Sequence, residues 1–432
     1  MKVLWFTNLQ IFPEDGVHEA IRGGWMIGTL NYLVRNTDYE IAIVSPNIGD
    51  SKESGIVYFG LKYDMSACKF DDSLKNRIKD IYSQFNPDII HVWGTEYIHS
   101  YAAMVAAEDM GITDRIVVNL QGVIGAYSER FIVSIPSIYI KGFMPIEILT
   151  KSSIRSQKIR FEKLGEYEKC TLRKCKNVIG KSYWDESYTR MINSECAYYK
   201  TREILRDNFY DVERWNVKQS SRLYLFMSQA SYPIKGLHII LDALNIVKEK
   251  YPNIELHIAG DNFFHKSRTH KWIPNNLLYS SYDIFLLRKI RKYGLEKNII
   301  FEGNLTAAEM IKRYKKSRMV ISASTIENES NTISEARIIG TPVISSFVGG
   351  VTERINNGVD GFVYPCEEYY VLAQRILDLI EDDELATKIS VSGIEIEKDI
   401  NNIERNGKQM CYIYSEVKKQ IHRQYINLHG DE

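Results

Sequence analysis

The sequence predicts an α/β protein built from two doubly wound, Rossmann-like halves. Three observations carry that expectation. A chain of 432 residues exceeds one ordinary core, which favours two domains of about 200 residues. Short apolar runs alternate with amphipathic stretches, the pattern of a parallel sheet with helical crossovers. A polar, aperiodic stretch at 207–220, "DNFYDVERWNVKQS", interrupts the alternation, which then restarts cleanly.

In the first half "KVLWFTN" reads as a strand, "GGWMIGTLNYLVRN" as a loop and helix, and "YEIAIVSP" as the next strand. "SLKNRIKDIYSQFNP" is a helix closed by Pro87, and "DIIHVWG" a strand. "IHSYAAMVAAEDMG" is a helix stopped by Gly111, and "RIVVNLQG" a strand. The pattern blurs over 131–176, after which "CKNVIGKS" reads as a further strand. The second half opens with the strand "LYLFMSQ" and the helix "KGLHIILDALNIVKEKYPN". "IELHIAG" and "NIIFEGNL" are strands, and "TAAEMIKRYKKS" is a helix with Thr306 and Glu309 as a capping box. "RMVISAS", "TPVISSFVGG" and "DGFVYP" complete the sheet, and the tail from about 366 is helical. Ligands of such sheets sit at the carboxyl ends of strands, so both halves are expected to present loops to a shared cleft.

Composition narrows the function classes. Lys+Arg and Asp+Glu balance at 55 each, so no global field recruits nucleic acid. Six scattered cysteines form no C-x2-C pair, which fits a reducing cytoplasm. "MKVLWFTN" lacks the features of a signal peptide. The most apolar stretch, 131–149, carries Pro136, Lys141, Gly142, Pro145 and Glu147, which rule against a spanning helix. A cytoplasmic protein is expected. Residues 141–181 hold eleven basic and four acidic side chains after the apolar "FIVSIPSIYI". Peripheral contact with an anionic membrane through 131–176 is one expectation, and a solvated basic helix the other.

The stretch "STIENESNTISEARIIGTPVISS", residues 324–346, places Glu327 and Glu335 eight positions apart. Glu327 falls in a loop past the strand "RMVISAS". "ISEARIIG" reads as a helix closed by Gly340, with Asn331 or Thr332 as N-cap and Glu335 in the first turn. The free amides of such a turn suit a phosphate. One carboxylate would then grip a transferred sugar and the other a ribose. Thr332-x-x-Glu335 equally reads as a capping box, and Glu329 is as available as Glu327. Lys235, at the start of the helix after "LYLFMSQ", is placed to meet a diphosphate as a point charge, or is an ordinary exposed lysine. Gly23-Gly24, after the first strand, allow close backbone approach to a ligand.

Other chemistries lack their motifs. There is no D-x-D and no H-E-x-x-H, and the pairs His91/His99 and His265/His270 lack ligand spacing. G-x-S-x-G, the P-loop and G-x-G-x-x-G are missing. Neither a metal nor a bound cofactor is expected.

"STIENESNTISEARIIGTPVISSFVGGVTERINNGVDGFVYP" resembles the donor-site signature of family-4 retaining glycosyltransferases of the GT-B fold. It most resembles the bacterial surface-polysaccharide branch, with "YPIKGLHIILDAL", "GGWM", "IHVWGTE", "VVNLQGV" and "WDESYTRMIN" adding to the likeness. The resemblance implies metal-independent glycosyl transfer from a nucleotide diphosphosugar to a glycan or lipid-linked hydroxyl, in capsule, exopolysaccharide or lipopolysaccharide synthesis. It implies that Glu327 meets the transferred sugar, Glu335 the ribose, and Lys235 the diphosphate, with the backbone at Asn331 and Thr332 assisting. Gly23 and Gly24 would line the diphosphate from the other domain. A final helix from about 408 would return to the first domain, giving domains of 1–207 with 408–432, and of 221–407.

Two positions depart from the family pattern. "SQASYPIKG" offers no arginine ahead of Lys235, and Gln121 stands where many relatives have histidine. Gln121 accepts and donates hydrogen bonds but carries no proton charge, so its implied role is to bind sugar. The competing readings are a nucleotide-sugar epimerase on the same fold and a non-catalytic sugar-nucleotide binder.

Overall fold

The alternation folds into two parallel sheets, each in its own unit. The computed structural model describes residues 1–13, 23–65, 68–260 and 279–429. His265 and His270 lie outside them. One unit gathers residues 1–126, 161–206 and those from 401 onward, the other 127–160 and 207–400.

The first unit contains β1 (Lys2–Phe6), β2 (Glu40–Pro46), β3 (Ser51–Glu53), β4 (Ile56–Leu61), β5 (Ile89–Trp93), β6 (Ile116–Asn119), β7 (Asn177–Gly180) and β8 (Ala197–Lys200). Their order is β3-β4-β2-β1-β5-β6-β7-β8, parallel except for β3 against β4. The sequence reading missed β3, β4 and β8. The three-residue β3 and the half-exposed edge strand β8 have no apolar run to betray them. β4, "IVYFGL", does, yet it follows β2 without the helix that the alternation demands.

Both faces of this sheet are covered. Along β1, Leu4 and Phe6 enter one core while Val3 and Trp5 enter the other, as period-two side chains must. The final helix, Ile403–His429, covers the Trp5 face with Met410, Ile413, Tyr414 and Val417, spaced as one helical stripe. The Tyr414 hydroxyl accepts from Trp5 Nε1 (3.0 Å) and bonds His91 Nδ1 (2.6 Å). Burial pushes the His91 imidazole down to about 3, so this histidine is a neutral core residue.

Glu168, in the helix Ile154–Lys174, is a buried carboxyl in the same unit. It accepts from Thr95 Oγ1 (2.5 Å), the amides of Ile124 and Gly125 (both 3.1 Å) and Tyr188 Oη (3.0 Å). Burial pushes it from 4.5 up to about 7, against the pull of the Thr95 hydroxyl and the Gly125 and Ile124 amides. The folded chain therefore holds a proton that the unfolded chain releases between these values. This contribution to stability is full below 4.5 and lost as pH rises through about 7. Thermal melts across that range should show the wild type losing more stability with rising pH than Glu168→Gln. Parallel pH profiles would contradict this assignment.

The second unit contains β9 (Ser221–Met227), β10 (Glu255–Ala259), β11 (Ile299–Gly303), β12 (Ser317–Ser322), β13 (Val343–Ser346) and β14 (Phe362–Tyr364). They are all parallel, in the order β11-β10-β9-β12-β13-β14. From β9 the chain winds outward through β10 and β11, then returns to β12 on the other side. β9 and β12 thus flank the switch point, where loops diverge and leave a crevice. Residues 207–220 are not a loose connector. Trp215 is buried, its Nε1 donates to Ser317 O (2.8 Å), and Arg214 Nη1 donates to Ile338 O (2.6 Å). Thr306 and Glu309 form the expected capping box. Among the described residues no helix is long and apolar enough to cross a membrane.

Candidate functional site

Lys235 and Glu327 meet at the switch point of the second sheet. Lys235 ends a short 3-10 turn, Pro233–Lys235, after β9. Glu327 lies in the loop after β12. Gly236 sets their approach: its φ is +72°, and a Cβ there would stand 1.9 Å from Ala323 O. Only glycine lets the Lys235 turn settle against the end of β12. Lys235 Nζ then lies 2.9 Å from Glu327 Oε2, with side chains 20% and 10% exposed.

The loop holds Glu327 from several sides. Ser324 Oγ donates to Glu327 Oε2 (3.1 Å), and the Gly350 amide donates to its carbonyl (3.0 Å). A Cβ on Gly349 would come within 2.1 Å of that carbonyl, so the "VGG" stretch packs directly under the loop. Tyr127 Oη accepts from the Asn328 amide (2.9 Å) and reaches Glu327 Oε1 at 3.5 Å. Burial works to lower the Lys235 pKa, but the Glu327 carboxylate and Tyr232 outweigh it and raise it above its ordinary value. Lys235 is therefore a fixed positive charge at any working pH, not a proton donor.

The helix after this loop spans Asn331–Ile339, with Ser330 as N-cap and no side chain bonded across its start. This corrects the expected cap at Asn331 or Thr332. Glu335 lies in the second turn, and the Thr332–Glu335 capping box does not form. Thr332 Oγ1 instead bonds Ser228 Oγ (2.5 Å), which ties the helix start to the end of β9. Glu335 Oε2 accepts from Tyr314 Oη (2.9 Å).

Glu329 and Glu327 are no longer equivalent candidates. Glu329 Oε1 lies 3.4 Å from Arg354 Nε, inside a buried charge cluster. There Arg354 also pairs with Glu397 and donates to Ser334 Oγ (2.6 Å). Arg337 pairs with Asp360 (2.8 Å) and Glu397 (3.3 Å) and donates to Arg354 O (2.7 Å). The cluster clamps the loop and helix through Glu329, Ser334 and Arg337, while Glu327 pairs with Lys235 instead.

Gly23, Gly24 and Gln121 belong to the first unit. Gly23 (φ +84°) caps the helix Gly24–Asn36 after β1. Gln121 follows β6, donating to Asn119 Oδ1 (3.1 Å) and accepting from Lys181 Nζ (3.2 Å). Lys181 in turn pairs with Glu203 in a buried contact. Among the described residues no three His, Cys, Asp or Glu side chains gather as a metal site would.

Sequence reasoning missed Tyr127, Ser228, Tyr314 and Ser324. Tyr127 had no signal, because its segment belongs to the second unit although it lies in the first half of the chain. That segment is stitched down by Thr325 Oγ1 donating to Arg130 O (3.0 Å) and by His238 Nε2 bonding Val133 O (3.0 Å). The carbonyl only accepts, so His238 carries its proton on Nε2. Burial, with Lys289 nearby, pushes this imidazole down to about 4. Ser228 and Ser324 follow strand ends at the switch point, which was the available signal.

Residues 210–395 match the family described as Glycosyl transferases group 1. The alpha-monoglucosyldiacylglycerol synthase of Streptococcus pneumoniae is 24% identical over 187 residues, 43% of this chain and 38% of that protein. The chain spans only 33% to 43% of the length of the curated relatives it matches first. Among solved structures, sucrose-phosphate synthase from Thermosynechococcus elongatus superposes with a TM-score of 0.70 at 14% identity, covering 96% of this chain and 98% of that one. Anabaena HepE, solved in complex with UDP and glucose, gives a TM-score of 0.64 at 15% identity, covering 96% and 100%. The fold is that of the GT-B proteins, with two Rossmann-like domains.

Proposed function

We propose that this chain, which carries the group 1 glycosyl transferase match in its second unit on a GT-B fold, is a glycosyltransferase that uses a nucleotide diphosphosugar donor. One observation supports this reading above the others. A permanently charged lysine paired with a carboxylate, and a helix start without a side-chain cap tied to the end of β9, lie at one switch point. Lys235 and the amides at Asn331 and Thr332 would hold the diphosphate. Glu327 would face the sugar, and Lys235 beside it would offset the repulsion between a carboxylate and an anionic ligand. Glu335 would bind the ribose hydroxyls, with Tyr314 fixing its orientation. Structural neighbours solved with UDP, UDP-glucose or UDP-2-fluoro glucose lend support to a donor of this class.

In the reaction the bond from the sugar's anomeric carbon to the diphosphate oxygen breaks. A bond from that carbon to the acceptor oxygen forms. The nucleoside diphosphate leaves with the bonding pair, and the acceptor proton passes to it or to solvent. Retention of configuration and a place in surface-polysaccharide synthesis follow from the resemblance in the donor-site stretch. A curated relative of Staphylococcus aureus, a capsular polysaccharide biosynthesis glycosyltransferase, supports the second.

A thermal-shift screen over nucleotide sugars identifies the donor, because a ligand at a hundred times its Kd adds about 2.7 kcal/mol. Incubation of that donor with glycan and lipid-linked acceptors should release nucleoside diphosphate only when an acceptor is present. Conversion of donor without acceptor would instead mark an epimerase, and binding without release a passive binder. Glu335→Ala should raise donor KM by about ten- to a hundredfold, the loss of one charge-assisted hydrogen bond, with kcat little changed. Unchanged KM in steady-state kinetics would remove the ribose assignment.

A further inference from the structure

Residues 131–160 hold five basic side chains and one acidic one, Glu147. The structure turns that acid inward. Glu147 is buried and accepts from Ser281 Oγ, at the start of the helix Ser281–Tyr293. The same helix holds the segment at two more points. Phe143 N donates to Ser281 Oγ (3.0 Å), and the Tyr139 ring lies 5.0 Å from Phe285 while its hydroxyl accepts from Arg288 Nη1 (2.9 Å).

The residues beside these anchors face water. Ile138 is 63% exposed, Ile148 70% and Leu149 81%. Lys141, Lys151 and Arg155 are exposed among them. The outward side of this segment thus combines large aliphatic side chains with cations only. Nothing in the stability of the short helix Pro145–Thr150 calls for Ile148 and Leu149 side by side at such exposure. The basic run beyond residue 160 differs in kind: Lys169 pairs with Glu166, Lys174 with Glu108, Lys176 with Asp114, and Lys181 is buried on Glu203.

We propose that residues 138–155 dock on an anionic lipid bilayer, with Ile138, Ile148 and Leu149 entering the interface and Lys141, Lys151 and Arg155 meeting lipid headgroups. Charge complementarity and the aliphatic tips select this partner. An acidic protein surface would match the cations but leave the aliphatic side chains in water. Docking narrows the expected contact region of 131–176 to its first part. It goes beyond the donor site and does not depend on it, because the readout needs no transfer.

The test is co-sedimentation of the full chain with vesicles of phosphatidylcholine alone and of phosphatidylcholine mixed with an equal part of phosphatidylglycerol. The wild type should sediment with the mixed vesicles, not with phosphatidylcholine alone, and should be released by added salt. Each lysine or arginine contributes about five-fold to the partition constant, so Lys141→Gln/Lys151→Gln/Arg155→Gln should weaken it about a hundredfold. Ile148→Gln/Leu149→Gln should also weaken it on the same mixed vesicles. All five side chains are exposed, and circular dichroism checks that both variants fold. Three outcomes overturn the proposal: no sedimentation of the wild type, equal sedimentation with both vesicle types, or variants that bind like the wild type.

Discussion

Glu327→Ala should lower kcat by about a hundredfold or more while leaving donor KM within a few-fold. The carboxylate is positioned by Lys235 and Ser324, and its backbone carbonyl is held by the Gly350 amide, before any ligand arrives. Its cost of ordering is thus met in folding, and on the proposed reading its charge would act where positive charge develops on the transferred sugar. No single group supplies the whole barrier reduction. A helix start contributes about 0.3 to 2 kcal/mol and a charge-assisted hydrogen bond about 1.5 to 3. Enzymes require about 8 to 23 kcal/mol. On the proposed reading, Glu327, Lys235 and the helix start would have to act together, in a site that excludes water. The variant also frees Lys235 for the diphosphate, which is why ground-state binding should survive. A variant that turns over at the wild-type rate, measured at saturating donor, would remove Glu327 from the chemistry.

Arg354→Ala should destabilise the second unit by about 3 to 5 kcal/mol, the cost of removing one partner from a buried ion pair. The guanidinium answers Glu397 and Glu329, and it donates to Ser334 in the helix Asn331–Ile339. Without it two carboxylates remain buried beside Asp360, with Arg337 as the remaining cation of the cluster. Replacing Arg354 by Met and Glu397 by Leu together should cost less than the single change, because one buried carboxylate, Glu329, rather than two then loses its Arg354 partner. Urea unfolding followed by circular dichroism measures both. A single variant as stable as the wild type would show that the cluster does not hold the loop.

Much of this architecture was legible in the sequence, for physical reasons. Strands buried on both faces must be apolar throughout, so β1, β2, β5, β6, β9, β10 and β12 announced themselves. Edge strands such as β8 carry no such obligation and were missed. Lys235 and Glu327 were legible because each follows a strand whose end faces the switch point. Choosing between Glu327 and Glu329 was not, since two residues in one loop turn opposite ways and only the Arg354 cluster separates them. The Thr332–Glu335 capping box was a local preference that tertiary contacts overrode: Ser228 takes the threonine hydroxyl, and Tyr314 takes the carboxylate. The place of Tyr127 depends on chain segments 200 residues apart, which no local pattern encodes.

Calorimetric titration of nucleoside diphosphates into the wild type and Lys235→Ala tests the donor site most directly. At least one diphosphate should bind the wild type, and Lys235→Ala should weaken it by about ten- to a hundredfold, equivalent to about 1.5 to 3 kcal/mol. The corresponding monophosphate should discriminate less between the two proteins. Equal affinity of the diphosphate for both, or no binding of any diphosphate to the wild type, would contradict the site.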